Sequence, residues 1–484
     1  MEQGKKLMAK PHYRLLTPEQ IEIIHGASLE ILQNTGIRVL SEDALKLLRK
    51  AGCTIKDDNI VLIPPKLVEE SIKSAPSQIT IFNRQGEVAM QLEGRNSYFG
   101  LGTDLPYTQD INSGNVRTSV LQDVINCARV ADACPEIDYI GSSALPGDLP
   151  PLSMYVESFK AQVENSIKPI FFTSESQTDL NFIIEMAASV AGGKDALREK
   201  PFLIHYSEPI SPLTHGPNAI SKLLQCATDG IPVCYAPVVQ SGATAPITSA
   251  GAIAQANAEA LSGIVIHQLK AQGAPIISGF VASILDLQTM VKPYVSPEQR
   301  MTNSAMADLY HHYEIPVWGT TASDSNLFDA QTSFDNAICI LMASLDGANL
   351  VHDVGYLGQG MMGNPAAIVM CDEIISYVRR GLRGFELDAD HLALDTIHQV
   401  GPGGNYLTEE HTVKYMRSQF WRPKQLNRQS FASSLSDGYS PYEERLLEKV
   451  KTILNTHEPA PLSDEVKQKL ADISDRVKQF SEGG

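Results

Sequence analysis

Short apolar runs recur along the chain from residue 97 onward, and each ends in small or polar residues ahead of a segment with helical periodicity. Eight such runs can be counted, namely "SYFGLGTD", "IDYIGSSALP", "KPIFFTSES", "PFLIHYSEP", "IPVCYAPVVQSG", "APIISGFVAS", "IPVWGTTASDS" and "ANLVHDVGYLGQG". Runs that are apolar on both faces are typical of parallel strands covered by crossover helices. Eight strand–helix units predict an α/β fold, a (β/α)8 TIM barrel, over residues 91–385.

Segments with a different pattern flank this repeat. Residues 1–90 hold two helical patterns, "LTPEQIEIIHGASLEILQNTG" and "SEDALKLLRKAG", and short extended pieces such as "SQITIFN". The first pattern begins at a threonine cap and ends at a glycine, which are ordinary helix boundary signals. Residues 386–484 include "DEVKQKLADISDRVKQF", which is typical of a surface helix. We therefore expect a barrel with an N-terminal α/β appendage and a mainly helical C-terminal extension.

The amino-acid composition disfavours some classes of binding partner and some cellular locations. Asp and Glu total 56 against 39 Lys and Arg, for a net charge of −17, which disfavours nucleic acid and anionic membrane as binding partners. The seven cysteines form no CxxC pair and are typical of buried, reduced thiols. The first residues lack the apolar segment of a signal peptide, and no apolar stretch approaches the roughly 18 residues of a membrane span. We expect a cytoplasmic protein, and the appended segments are compatible with a homo-oligomer.

Residues just after each run share one end of the predicted barrel, because parallel strands bring their carboxyl ends to the same face. We expect the functional site on this face, and its candidate side chains are Tyr98, Phe99, Asp104, Glu175, His205, Tyr206, Glu208, Tyr235, Gln240, Phe280, Trp318, Asp324, His352, Asp353, Tyr356 and Gln359. Aromatic residues and carboxylates dominate this set, whereas arginine and lysine are absent from it. The chain has no Walker sequence, and its glycine-rich stretch "GYLGQGMMG" carries no lysine, so phosphate-bearing substrates are disfavoured.

The same set offers little for metal or covalent catalysis. His352 and Asp353 are adjacent, so on a strand they would point to opposite faces and would not share an ion. No nucleophile elbow, Cys–His pair or suitable lysine stands out, and we predict no metal site. Aromatic faces with nearby acids suit the binding of a cation. The alternatives are that each aromatic residue fills the barrel and that His352 is a buried histidine bonded to a neighbouring strand.

Four separated stretches carry a resemblance to a known family. They are "HYSEPISPLTH", "PVWGTTASDSNLFDAQTSFDNA", "GANLVHDVGYLGQGM" and "VGPGGNYLTEEHT…FWRP", and together they resemble the trimethylamine methyltransferase family, the corrinoid-dependent amine methyltransferases. The resemblance covers almost the whole chain and implies a TIM barrel. It also implies methyl transfer from a methylated amine to Co(I) of a corrinoid (cobalamin), which is carried by a separate small protein or supplied free rather than held tightly by this chain.

The branch of the family follows from the residues present. Members that use trimethylamine carry pyrrolysine near the barrel rim, whereas this sequence has standard residues throughout. It therefore resembles the non-pyrrolysine branch, which demethylates quaternary amines such as glycine betaine. The resemblance thus implies glycine betaine as methyl donor and dimethylglycine as product, with proline betaine, carnitine and γ-butyrobetaine as alternatives. Alternatives of another class are a non-catalytic betaine-binding barrel and a metal-dependent barrel lyase or hydrolase.

Roles within the predicted site are hypotheses drawn from position along the chain. The trimethylammonium group would be enclosed by aromatic residues chosen among Tyr98, Phe99, Tyr206, Phe280, Trp318 and Tyr356. His352 and backbone N–H groups would hold the substrate carboxylate, since the candidate set lacks arginine and lysine. Glu208 would orient His205 or lie near the cationic head, and Gln359 is a further candidate for substrate binding. No residue is assigned as a catalytic acid or base.

Overall fold

The computed structural model describes residues 7–438 and 440–482 of the chain. Its α-helices span, in chain order, Pro18–Glu30, Glu42–Lys50, Pro65–Ser74, Leu121–Asp132, Pro151–Asn165, Gln177–Ala191, Lys194–Glu199, Pro217–Asp229, Ser249–Lys270, Pro297–Tyr313, Ala330–Asp346, Pro365–Leu382, Ala389–Leu392, Leu394–Val400, Glu410–Gln419, Phe431–Asp437, Tyr442–Thr456 and Asp464–Glu482. A π-helical turn covers Ile31–Thr35, and a 3₁₀ turn covers Asp57–Asn59.

Eight parallel segments form the barrel. They are β1 (Tyr98–Phe99), β2 (139–140), β3 (Ile170–Phe172), β4 (Leu203–Ser207), β5 (Val233–Tyr235), β6 (Ile276–Ser278), β7 (Trp318–Thr320) and β8 (Leu350–His352). Ladders join β3 to β4, β4 to β5, β5 to β6, β7 to β8, and β8 to β1. Single parallel bridges join the remaining neighbours, at Gly100–Tyr139, Ile140–Ile170 and Ser278–Val317. Every segment therefore has two parallel neighbours, as the eightfold repeat predicts.

Shorter strands lie outside this ring. Three two-stranded pairs are Leu7–Ala9 with Phe385–Leu387, Ile79–Phe82 with Val88–Leu92, and Val238–Ser241 with Val281–Ile284. One four-stranded sheet consists of Thr214–His215, Ile37–Val39, Ile60–Leu62 and Thr54–Ile55. A second four-stranded sheet consists of Tyr356–Leu357, Met362–Gly363, Tyr107–Gln109 and Val116–Thr118. Several of these strands belong to the connections that follow β1, β5, β6 and β8. They therefore build up the carboxyl-terminal face of the barrel, where such connections lie.

A hairpin covers the amino-terminal end of the barrel. Residues 79–92 form this hairpin, and its Ile81 and Met90 are buried in one cluster with side chains of the barrel interior. Tyr98, at the start of β1, accepts a hydrogen bond from the Gln91 amide at 3.1 Å, which places Tyr98 at this covered end. A ligand therefore reaches the interior from the opposite, carboxyl-terminal face.

Strand alternation divides the barrel side chains into two sets. Inward-facing side chains pack with one another inside the barrel, and they include Phe171, Ile204, Cys234, Ile277, Trp318 and Leu350. Outward-facing side chains belong to the core between strands and helices, and they include Phe99, Phe172, Leu203, Val233, Ile276, Val317 and Val351. Because side chains alternate along a strand, each strand offers only one of its two sets to a site inside the barrel.

The flanking segments form helices where their patterns predict them. The helix Pro18–Glu30 begins with a capping box, in which the Thr17 hydroxyl accepts from the Gln20 amide and the Gln20 side chain accepts from the Thr17 amide. The helix Asp464–Glu482 buries Leu470 completely, so this surface helix has one packed face. Among the described residues, every helix is too short or too polar to cross a bilayer.

Candidate functional site

Four rings meet inside the barrel just below its carboxyl-terminal opening. Tyr206 and Trp318 stack with ring centroids 5.8 Å apart, and the His352 ring stands edge-on to both, at 5.7 and 4.9 Å. Phe171 completes the group, 5.2 Å from His352 and 5.5 Å from Tyr206. Trp318 and His352 are buried, whereas Tyr206 keeps partial access to solvent. These four residues are called the aromatic floor below.

Polar atoms in and beside the aromatic floor lack hydrogen-bond partners in the part of the chain that the structure describes. They include Trp318 Nε1, Tyr139 Oη and Thr320 Oγ1. Buried polar atoms in proteins are nearly always paired with protein groups or ordered water. These atoms are therefore available to water or to a small polar ligand that enters through the opening.

The loop after β8 turns back over the aromatic floor. Asp353 has φ +71°, and its Oδ2 lies 3.0 Å from His352 Nδ1, so both side chains face the interior. The prediction that these two residues point to opposite faces is wrong. The strand ends at His352, and the left-handed conformation of the next residue, which aspartate tolerates better than most residues, breaks the alternation there.

Glycines allow this loop to approach the connection after β1. Tyr356 is buried and donates a hydrogen bond to the Thr103 carbonyl. A Cβ on Gly102 would lie 2.2 Å from both Asp353 Oδ1 and Tyr356 Oη, so only glycine fits between these side chains. Gly355, at φ +84°, provides the turn between Asp353 and Tyr356. The glycine-rich sequence of this loop thus brings a carboxylate and a phenol to the opening.

Two further carboxylates contribute negative charge to the opening. Glu208 Oε2 accepts a hydrogen bond from the Tyr206 phenol at 3.0 Å, and desolvation raises the pKa of Glu208, although the Tyr206 hydrogen bond opposes the shift. Asp104 accepts from the Thr173 hydroxyl at 2.7 Å, and burial raises the pKa of Asp104 to about 6. Together with Asp353, these side chains line the opening with carboxyl groups.

A lysine that the sequence reasoning missed also lies at this opening. The Lys292 ammonium is 4.7 Å from the centroid of the Tyr294 ring. Asp324 fixes their loop, because its carboxylate accepts from the amides of Tyr294 at 2.7 Å and Val295 at 3.0 Å. The prediction of a site without lysine is therefore wrong. The sequence signal was present in "VKPYVS", which directly precedes the helix Pro297–Tyr313 on the carboxyl-terminal face.

Several predicted site residues lie away from the aromatic floor. Tyr98 lies at the covered end, and Phe99 and His205 lie on outward strand faces. Phe280 follows β6, and its ring lies 6.5 Å from that of Tyr310 on the helix Pro297–Tyr313. His205 Nε2 lies 3.0 Å from the Ser174 hydroxyl, so Glu208, whose hydrogen bond comes from Tyr206, does not orient that ring. Gln359 donates to the Asp324 carbonyl at 2.6 Å and supports the loops around the opening. The structure thus brings together Tyr206, Glu208, Trp318, His352 and Tyr356 from the predicted set.

One group of possible metal ligands occurs among residues 7–438 and 440–482, and it lies outside the barrel. It consists of Glu386, Asp388 and His391. Asp388 caps the short helix Ala389–Leu392, and its Oδ1 lies 2.8 Å from His391 Nδ1. These contacts give the group a structural role in the segment that follows the barrel.

The sequence matches known proteins over almost its whole length. A family model described as "Trimethylamine methyltransferase (MTTB)" matches residues 2–481. The chain is 32% identical to trimethylamine methyltransferase MttB of Desulfitobacterium hafniense (strain DSM 10664 / DCB-2), over 95% of this chain and 93% of that protein. It is 30% identical to the glycine betaine methyltransferase of Desulfitobacterium hafniense (strain Y51), over 98% of this chain and 99% of that protein.

A solved structure shares the fold. The monomethylamine methyltransferase MtmB of Methanosarcina barkeri aligns with a TM-score of 0.53 at 11% identity, covering 97% of this chain and 89% of that chain. The predicted fold class is confirmed by this likeness, and the predicted methyltransferase activity is confirmed by the family match. The chain belongs to the trimethylamine methyltransferase family.

Proposed function

We propose that this protein transfers a methyl group from a quaternary amine, with glycine betaine as the favoured donor, to Co(I) of a corrinoid on a separate carrier protein. The proposal is supported by the family match and by the relative named as a glycine betaine methyltransferase. The observation that carries it is the aromatic floor of Tyr206, Trp318, His352 and Phe171 beneath an opening lined with carboxylates. Such an arrangement matches a methylated cation, which rings bind through their faces.

The reaction assigns little chemistry to protein side chains. The Co(I) electron pair forms the new bond to the methyl carbon, and the electrons of the breaking C–N bond stay on nitrogen. A quaternary amine therefore leaves as a neutral tertiary amine, dimethylglycine from glycine betaine, and no proton moves in this step. The protein contributes positioning and desolvation. Each ring of the floor contributes on the order of 0.5–2 kcal/mol to holding the cation.

The charge on the donor nitrogen before transfer distinguishes quaternary from tertiary donors. A tertiary amine must first be activated before it loses a methyl group, whereas a quaternary nitrogen already carries its positive charge. The aromatic floor of Tyr206, Trp318, His352 and Phe171 instead offers ring surfaces that suit a nitrogen already carrying its positive charge. The site therefore supports a quaternary donor better than trimethylamine.

The surface around the opening supports a protein partner. Large apolar side chains there are about half to two-thirds exposed, and they follow five different barrel strands: Ile210 59%, Ile247 62%, Leu287 62%, Met290 67%, Leu327 62% and Met361 49%. We call these six residues the apolar rim. Exposed large apolar side chains gathered on one face favour a docking site, and a carrier that docks here would hold its corrinoid above the aromatic floor.

The proposal is tested by mixing the protein with free cobalamin, reduced to Co(I), and a panel of quaternary amines. We expect methyl-Co(III) to form, followed by its absorbance, with dimethylglycine appearing in equal amount when glycine betaine is the donor. His352→Ala should raise KM or abolish turnover while the protein stays folded. The matched control is His312→Ala, at an exposed histidine far along the helix Pro297–Tyr313. Transfer from trimethylamine but from no quaternary amine would overturn the proposal.

A further inference from the structure

The Lys292 ammonium holds an unusual position among the charges of the opening. It is partly buried and lies over the Tyr294 ring at 4.7 Å. Glu208, Asp353 and Asp324 act on it electrostatically, yet within the described ranges no carboxylate lies within 4.0 Å of it and no group accepts a hydrogen bond from it. A partly desolvated ammonium without a direct partner is costly, and a bound anionic group would relieve that cost.

The backbone holds Lys292 firmly in this position. The Pro293 carbonyl accepts from the Ser283 hydroxyl at 2.9 Å, and Asp324 accepts from the next two amides. Arg300 donates to the Tyr294 carbonyl at 2.9 Å. The residues that follow Lys292 are therefore tied both to the strand before them and to the loop after β7, so the base of this side chain is fixed.

The opening carries charges of both signs, because Glu208 and Asp353 act electrostatically on Lys292. Glu208, with Tyr206 bonded to it, lies beside the aromatic floor, whereas Lys292 projects from the loop after β6 beside Tyr294. A ligand with positive charge alone would be attracted by the carboxylates but repelled by the ammonium. A ligand that carries positive and negative groups can pair with charges of both signs, with its cation over the rings and its anion at Lys292.

We propose that Lys292 is a specificity-determining residue that binds the carboxylate of the methyl donor, so that the site selects zwitterionic betaines over quaternary amines that lack an anionic group. The inference rests on the proposed function, since it concerns the donor of that reaction. It replaces the earlier assignment of the substrate carboxylate to His352, whose ring forms part of the aromatic floor. The carboxylate would pair with the ammonium while the trimethylammonium group remains beside Tyr206.

The test compares binding of glycine betaine and choline, which share the trimethylammonium head and differ in carrying a carboxylate or a hydroxyl. Calorimetric titration of the full-length protein alone measures each dissociation constant without corrinoid or turnover. We expect the wild type to prefer glycine betaine. Lys292→Met should weaken glycine betaine binding about 10- to 100-fold and leave choline binding unchanged or tighter, whereas Lys292→Arg should keep most of the preference.

A control variant and two contrary outcomes separate this inference from the proposed function. Lys194→Met removes an exposed lysine on the helix Lys194–Glu199 and should leave both dissociation constants as in the wild type. Equal weakening or equal tightening of both ligands in Lys292→Met would overturn the inference, because the carboxylate would then play no part, and would leave the proposed function standing. A wild type that binds no quaternary amine would overturn the proposed function and the inference with it.

Discussion

Glu208→Gln isolates the effect of a carboxylate on a reaction in which positive charge disappears. The substitution keeps an oxygen for the Tyr206 phenol, 3.0 Å away in the wild type, and removes the negative charge. A carboxylate attracts the full charge of the bound donor but only part of that charge in the transition state, because the leaving nitrogen is becoming neutral. It therefore binds the substrate more strongly than the transition state, which lowers KM without raising kcat.

The size of the effect follows from Coulomb's law. Unit charges ~5 Å apart at an effective dielectric constant of ~20 attract by ~3 kcal/mol. Solvent reaches Glu208, which is exposed at the opening, and the Tyr206 hydrogen bond spreads its charge, so that ~1 kcal/mol is the appropriate value. KM should then rise about fivefold. If half of the attraction persists in the transition state, kcat should rise about twofold.

The assay follows methyl-Co(III) formation at saturating free Co(I) cobalamin while the glycine betaine concentration is varied, which separates kcat from KM. The matched control is Glu185→Gln, since Glu185 pairs with Arg476 on the outer surface at 2.6 Å, and both constants should be unchanged there. A fall in kcat of about a hundredfold at constant KM would refute the reasoning, because Glu208 would then stabilise the transition state rather than the substrate.

Three further outcomes follow from the same site. Trp318→Leu should raise KM for glycine betaine about 2- to 30-fold through loss of a ring of the floor. Phe280→Leu, beside Tyr310 in the core outside the barrel, should cost about 1 kcal/mol of stability in denaturant unfolding and leave KM unchanged. Because the pKa of Asp104 is raised to about 6, the folded state binds the proton of this carboxyl group more tightly than the unfolded state does. The free energy of unfolding should therefore fall as pH rises from about 4 to 6. Asp104→Asn should remove this fall. Met290→Asp should slow methyl transfer to the carrier protein but not to free cobalamin, measured as the ratio of the two rates.

The fold was predictable because the signal for it repeats. Each barrel strand is buried by helices on one side and by the barrel interior on the other, so "KPIFFTSES" and "IPVCYAPVVQSG" stand out as uninterrupted apolar runs. The order of strand and helix then leaves few topologies. The short length of the strands, three residues in β3 and in β5, did not weaken the prediction, since the apolar runs extend beyond the paired residues.

The site was predictable only in part, because each barrel strand is buried on both of its faces. In a strand that is apolar on both faces, the sequence does not tell which set of alternating residues faces inward. Phe99 and Phe280 therefore appeared equivalent to Trp318, although the structure turns them toward the helices. Phe171 was missed for the same reason, because it stands next to Phe172 in one run.

Loop conformation accounts for the remaining errors. Asp353 joins His352 on one side of the chain because its φ is positive, and local sequence pattern does not specify that angle for an aspartate. Lys292 lies beyond a second strand, Val281–Ile284, in a connection much longer than a strand end, so a search limited to the first residues after each run passed over it. Tertiary contacts position both Asp353 and Lys292, and the alternation of side chains along a strand does not predict such positions.

The covered end of the barrel restricts how a methyl donor can lie in this site. Because the hairpin 79–92 packs onto the interior, the cobalt nucleophile has only the carboxyl-terminal face from which to approach. In-line displacement then requires the departing methyl group to point toward the opening and the nitrogen to lie behind it, against the aromatic floor. The carboxylate of the donor must leave this axis sideways, because a group directly above the methyl carbon would block the cobalt. Lys292 lies beside Tyr294 in the loop after β6 rather than on the floor, so the proposed pairing of the donor carboxylate with Lys292 satisfies that requirement better than a pairing with His352.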